Sequence, residues 1–337
     1  MKFISALLSA ILVLLLSISA FAAKLGNPEQ WRSGLQTNHA LVGKIWSRKK
    51  QAFVSVEELE ADLKTKRYIL LGEKHDNPDH HWLQAQIINK LAKAEIKPSV
   101  VMEMIRVDQM QRVESFLAQK DAKAEHMGTA LLWEANGWPD WKLYQPIGEK
   151  ILEHKLEVYP GLASRQLNNH LIKKNIFALP ENSQKAFKLD VPLEPEHEKT
   201  LIEEVRTVHC NKLPERVIKP MANVQRFRDA WMADVMITAS QDDQKKQRQV
   251  ILIAGSGHTR DDRGAPWYLR KRAAEHKGPS DTLSIQFTEA DEAAKTVQEL
   301  SWLDPDGKVA ADYVWVTPAV KRGNYCDSIP DFGKKKH

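Results

Sequence analysis

Two kinds of apolar spacing run along this chain. Short unbroken apolar blocks at 68–71, 99–104 and 249–254 read as buried strands. Between them, apolar residues recur every three or four positions, the spacing of a helix face. Leu83, Ile87, Ile88 and Leu91 share one side of a helix over 78–94, and Val56–Thr65 forms a shorter helix ahead of the first block. Met221, Val224, Phe227, Trp231, Val235 and Met236 fall near one side of a long amphipathic helix at 217–239. Strands roughly 20–30 residues apart with a helix between them form a βαβ unit. The fold class that follows is α/β, three-layered, with a mostly parallel central sheet flanked by helices and a largely helical excursion.

The same spacing sets the organisation. The α/β core occupies about 55–108, 156–165 and 249–317, and the helical region about 109–155 and 166–240, all within one domain over 23–337. A block at 156–163 carrying Pro160 and Gly161 supplies the third strand. Blocks at 282–287 and 313–316 complete a sheet of five or six strands. Residues 24–50, polar and aromatic without a period, are expected to wrap the outside.

The first 22 residues follow a different rule. Lys2 is their only charge, an apolar run covers 7–16, and Ala20-Phe21-Ala22 suits signal peptidase. The run is short for a membrane span, and no cysteine follows it to carry a lipid. The expectation is a cleaved signal peptide and an exported protein, periplasmic or secreted. Cleavage removes Lys2 and takes the formal charge of the 337-residue chain from +5 to +4. Both signs of charge are interspersed, with no arginine-rich block, so nucleic acid is excluded as a partner. Cys210 and Cys326 are the only cysteines: either they pair, as an oxidising compartment allows, or Cys210 stays free and buried. The absence of Cys-x-x-Cys-His excludes covalent c-type haem attachment.

Three strands end in ionisable residues. Glu73 and His75 follow the first, Glu103 closes the second, and His258 follows Gly255-Ser256-Gly257 after a later one. Parallel strands point these ends into one crevice, where open α/β sheets bind ligands. Gly72 is read as the residue that turns the chain there, and Asp76, Asn77 and Pro78 as helix caps and first-turn residues. Of the adjacent His80 and His81, either one faces the crevice or both are solvated. Two carboxylates and two imidazoles suit a divalent metal such as zinc or iron, or general acid–base work. Neither a P-loop nor a Gly-x-Ser-x-Gly elbow is present.

Several blocks, in order, resemble the ChaN-like haem-binding uptake family of the Tiki/TraB-related superfamily. They are 72–77 with the following histidines, 101–104, Gly137-Trp138-Pro139-Asp140-Trp141 with Tyr144, His209-Cys210-x-x-Leu213-Pro214, Met221 with Gln225 and 228–233, and 255–260 through 264–269. The resemblance implies an exported carrier that binds ferric haem non-covalently, with haem between two protomers of a homodimer and an outer-membrane or transport partner. It implies a tyrosine and a histidine on the iron side: Tyr144 first, Tyr268 second, and His209. Arg228 or Arg260 would meet the propionates, since a phenolate suits ferric iron and cations suit carboxylates. Iron would then be met by a tyrosine on the helical excursion, leaving the acid–histidine cluster a separate task. The wider superfamily implies an alternative, a metal-dependent hydrolase that uses Glu73, His75, Glu103 and His258.

Overall fold

The computed structural model describes residues 25–94, 96–241, 248–275 and 281–329. The expected signal peptide lies outside the described residues. Eight strands form one sheet: β1 (Ile45–Ser47), β2 (Ala52–Val54), β3 (Tyr68–Glu73), β4 (Ser99–Arg106), β5 (Val158–Leu162), β6 (Val250–Gly255), β7 (Thr282–Glu289) and β8 (Tyr313–Thr317). Their order is β2-β1-β8-β7-β3-β6-β4-β5. All pairings among β3 to β8 are parallel; β1 pairs antiparallel with both β2 and β8. The mostly parallel sheet is as expected. Its extra width comes from the β1–β2 hairpin: β1 lies inside the 24–50 stretch expected to be irregular, and β2 just beyond it. These strands are only three residues long, too short for a period of two to register.

Side chains alternate across each strand, and the alternation builds three layers. Ile69 and Leu71 of β3, Val100 and Met102 of β4, and Ile251 and Ile253 of β6 enter one core with the helices Pro78–Lys93 and Gln145–His154. Leu70, Val101, Leu252 and Ala254 enter the other, against the long helix Glu215–Ala239 and the helix Ala265–Glu275. A strand buried on both faces carries no polar alternation, hence the unbroken apolar blocks.

Two glycines place the strand ends. Gly72 lies inside β3 and turns nothing. A Cβ there would come 2.1 Å from Thr259 Oγ1 and 3.1 Å from the Ser256 backbone, so the glycine admits the loop after β6. Gly161 lets β5 approach β4, where a Cβ would sit 2.6 Å from Met102 O. The β4–β5 register shifts between Met102 and Arg106, a bulge that re-aims Glu103 between them.

The two cysteines pair. Cys210, at the corner after the helix Pro195–Val208, is bonded to Cys326 across 116 residues, with Cα atoms 5.7 Å apart.

Candidate functional site

Glu73, His75, Glu103 and His258 meet at the carboxyl ends of β3, β4 and β6. Glu73 is buried and accepts from three donors, with a fourth group beside it. His75 Nδ1–H donates to its Oε1 over 2.9 Å, and the Tyr144 hydroxyl donates to the same oxygen. Gln84 Nε2 donates to Oε2 over 2.7 Å, and His81 Nδ1 lies 3.1 Å from it. Glu103 Oε2 accepts from the Gly255 N–H over 2.8 Å, and His258 Nε2 lies 3.2 Å from Oε1. The far side of His258 donates from Nδ1 to Asp229 Oδ1 over 2.6 Å. His75 Nε2 stands 3.8 Å from Glu103 Oε2, which joins the two halves.

The local sequence produces this arrangement. Asn77 caps the Pro78–Lys93 helix by accepting from the Asp79 and His80 N–H groups. The helix therefore starts at the rim, with His81 and Gln84 one turn apart and directed at Glu73. Asp76 does not cap: it pairs with Arg322. His80 and His81 are both fully buried: His81 faces the cluster, and His80 is sealed inside instead of solvated. His80 accepts from the Lys74 N–H and its Nε2 lies 3.0 Å from Thr317 Oγ1. Burial lowers its pKa to about 3, leaving it neutral. His81 stacks on Tyr144 with ring centres 3.8 Å apart.

Electrostatics sort these groups by charge. Burial opposes ionisation of Glu103, but His258, His75 and the Gly255 N–H outweigh it and hold its pKa at about 2. Glu73 lies well below the usual range, burial being outweighed by His81 and His75. Burial works against the His258 cation, yet Glu103 and Asp229 push its pKa to about 10. Asp229 is raised to about 6 by burial, against the pull of His258.

A stability profile follows. Depressed Glu103 contributes stability that is complete above its unfolded pKa, near 4.3, and lost as pH falls toward about 2; depressed Glu73 acts in the same direction. Raised His258 contributes stability that is complete below about 6.5 and lost as pH rises toward about 10. Raised Asp229 loses stability between its usual value of 3.8 and about 6, while His80, lowered from 6.5 to about 3, gains it over the same window, and the two largely cancel. Urea unfolding as a function of pH should peak near pH 5–6.5 and fall on both sides. A stability unchanged from pH 6.5 to 9.5 would contradict the His258 assignment.

The expected iron-side residues land in different places. Tyr144 joins the acid–histidine cluster instead of standing apart on the helical excursion, and it is fully buried among Trp133, Trp141 and His81. Burial, then Glu73, raises its pKa well above 10. Tyr268 is also fully buried; its hydroxyl accepts from Arg226 Nε over 3.2 Å, and burial raises its pKa to about 12. Neither presents an oxygen to a surface ligand, which corrects the expectation of a phenolate from either one. Arg260 is buried against Asp262 and the Leu303 carbonyl. Arg228 has a buried Nε without a hydrogen-bond partner. His209 donates from Nδ1 to the Val205 carbonyl over 2.7 Å.

The metal expectation for Glu73, His75, Glu103 and His258 is corrected too. Among the described residues no group of three or more His, Cys, Asp or Glu side chains is disposed to hold a metal ion. The reason is visible: their oxygens and nitrogens face one another in hydrogen bonds. Asp229, Gln225 and Gln84 carried no role in the sequence reading. Asp229 lies seven residues from buried Ala222 on an apolar stripe, and a charge on such a stripe was the available signal.

The model of a family described as haem-binding uptake, Tiki superfamily, ChaN matches residues 59–269. The chain belongs to this family. Among solved structures, this ChaN family member is similar to one described as cofacial haem binding to ChaN of Campylobacter jejuni. The two are 22% identical over 80% of this chain and 95% of that one, with a TM-score of 0.60, and they share the fold. An erythromycin esterase mutant in its open conformation aligns at 11% identity over 84% of this chain and 99% of that one, with a TM-score of 0.42. No curated protein matches the sequence.

Proposed function

We propose that this chain is an exported carrier that binds ferric haem non-covalently, and that haem lies in the hollow beside the strand-end cluster. The observation that carries the placement is a cavity of about 610 Å³ whose wall is apolar and whose rim is cationic. Leu213, Val217, Pro220 and Met221 form the wall; Lys173, Lys174 and Arg216 stand at the rim. Among the described residues none of these three cations has an ion-pair partner. An apolar macrocycle with two carboxylates needs that combination, and the volume is usual for a ligand site. Met221 sits one helical turn from Gln225, whose amide is 3.1 Å from His258, so the hollow and the cluster share a helix face. The larger cavity, about 820 Å³ beside β5, mixes Lys120 and Lys155 with Glu114 and Glu157 at its rim and suits a dianion less well.

Two imidazoles have the form that iron ligation requires, with Nδ1–H held and no hydrogen bond at Nε2 among the described residues. They are His75, held by Glu73, and His209, held by the Val205 carbonyl. His209 stands four residues before Leu213 of the hollow, and we assign it. The Cys210–Cys326 pair supports the exported reading, since disulfides persist in oxidising compartments. A second protomer closing over the open hollow would give the haem-linked homodimer, and a transport partner would receive the cargo.

Charge reversal at Lys173 and Lys174 together should weaken hemin binding about tenfold at low salt and less at high salt, because the contacts are exposed. His209→Ala should change the ferric haem spectrum. A spectrum unchanged in His209→Ala but altered in His75→Ala would move the ligand to the cluster.

A further inference from the structure

We propose that residues 318–329 are a strap across the mouth of the strand-end cleft, and that the Cys210–Cys326 bond is its redox-sensitive buckle. The proposal concerns access to the cleft and stands whatever ligand enters it.

The tie points define the strap. It leaves β8 at Thr317, on the same side of the sheet as the ends of β3 and β6. The Asn77 side chain donates to Pro318 O over 3.1 Å, and Glu289 at the end of β7 accepts from the Val320 N–H over 3.2 Å. Arg322 then spans Asp76 and Glu289, with Nε and Nη2 each 2.5 Å from an Asp76 oxygen and Nη1 2.6 Å from Glu289 Oε2. Asp76 is the residue after His75. Past Gly323 and Asn324, the Tyr325 hydroxyl donates to Thr207 O over 3.4 Å, and Cys326 is bonded to Cys210. Lys212 Nζ donates to the Cys326 carbonyl and, over 2.8 Å, to that of Ile329.

These anchors stand on opposite rims. Asp76 belongs to the β3 side. The Cys210 corner ends the Pro195–Val208 helix, and Glu204 of that helix reaches Gly257, with 3.0 Å between its oxygen and a Cβ built there. Cys326 lies four chain steps after Arg322, and such a segment reaches at most about 14 Å. The strap therefore takes a short, direct path from the Asp76 side to the Cys210 corner.

Its composition suits a part that moves. Residues 321–325 are all exposed, and no buried apolar side chain among them holds the segment down. Local opening draws on segments of this kind. The sulfur pair is only half-buried at both cysteines, open to attack by a thiolate. The step balances simply. A dithiol reductant gives two electrons and two protons, the Cys210–Cys326 bond breaks to two thiols, and the reductant leaves as its own disulfide. The far end then keeps only the Tyr325 and Lys212 hydrogen bonds, while the Arg322 fork holds the near end.

The test is histidine accessibility. The mature protein, oxidised or reduced with dithiothreitol and then freed of reductant, is treated with diethyl pyrocarbonate, and modification is mapped by mass spectrometry. His75, one-third exposed with the strap fastened, should label at least fivefold faster after reduction. Fully buried His80 should stay unlabelled. Cys326→Ser should reproduce the fast rate without reductant, and adding Arg322→Ala should raise it again. His75 labelling that changes less than twofold on reduction overturns the proposal. So does labelling of His75 and His80 rising together, since that reports unfolding.

Discussion

Glu73→Ala is expected to lower the unfolding free energy at pH 6 by about 3–5 kcal/mol, the cost of breaking a buried charge network by removing one partner. Glu73 is the acceptor for Tyr144, His75 and Gln84, with His81 Nδ1 3.1 Å away, and all of this is buried apart from the outer edge of His75. Truncation strands those donors, and each unsatisfied buried group adds its own desolvation cost. Glu73→Gln should also destabilise, because its amide nitrogen would face donors where a carboxylate oxygen accepted. Urea unfolding measures both. A loss under about 1 kcal/mol for the alanine variant would mean that the network is held by something other than Glu73.

The second large effect belongs to the disulfide. Cross-linking residues 116 apart removes chain entropy from the unfolded state, worth about 5 kcal/mol for a loop of this length. Release of the strap after reduction gives part of that back to the folded state. Reduction, or Cys210→Ser with Cys326→Ser, should therefore cost about 2–5 kcal/mol. At about 2–4 °C per kcal/mol, the melting temperature should fall by roughly 10 °C. Calorimetry on oxidised and reduced protein measures it, and equal melting temperatures would contradict the account.

The strands that position the site were legible for a physical reason. Strands β3, β4 and β6 are buried on both faces, so their sequences run mostly apolar, and the ionisable residues that interrupt or follow each run mark the cluster. Buried Glu103 nevertheless lies inside β4, which runs on to Arg106, and does not end it as expected. Glu73, Glu103 and His258 were found in this way. The edge hairpin β1–β2 was not, because three-residue strands have no room for a pattern. Tyr144 was placed on the right block but with the wrong surroundings: a sequence shows that tyrosine lies near tryptophans, not that its hydroxyl is sealed against a carboxylate 71 residues away. His80 and His81 misled for a related reason. Polar residues at a helix start read as solvated, and only the tertiary packing supplies the Lys74 amide, Thr317 and Glu73 that let both be buried. The Asp229–His258 pair needed the long helix and the β6 loop to be brought together, and nothing local announces that contact.

The division between the hollow and the cluster gives the family assignment a physical form in this chain. The cluster is a closed hydrogen-bonded network with its charges already paired, whereas the hollow has an apolar wall and uncommitted cations. Val217 lies in that wall, in the first turn of the Glu215–Ala239 helix. An acidic residue is favourable at that end of a helix, so Val217→Asp should leave the fold intact while placing a carboxylate where we propose that the porphyrin lies.

The most direct test is hemin titrated into the oxidised mature protein and into Val217→Asp, following the Soret band and the mass in solution. The account predicts a saturable shift with a doubling of mass for the unaltered protein, and at least tenfold weaker binding, about 1.4 kcal/mol, for the variant. No saturable shift in the unaltered protein would contradict haem binding. A shift of equal affinity in Val217→Asp would contradict its place in the hollow.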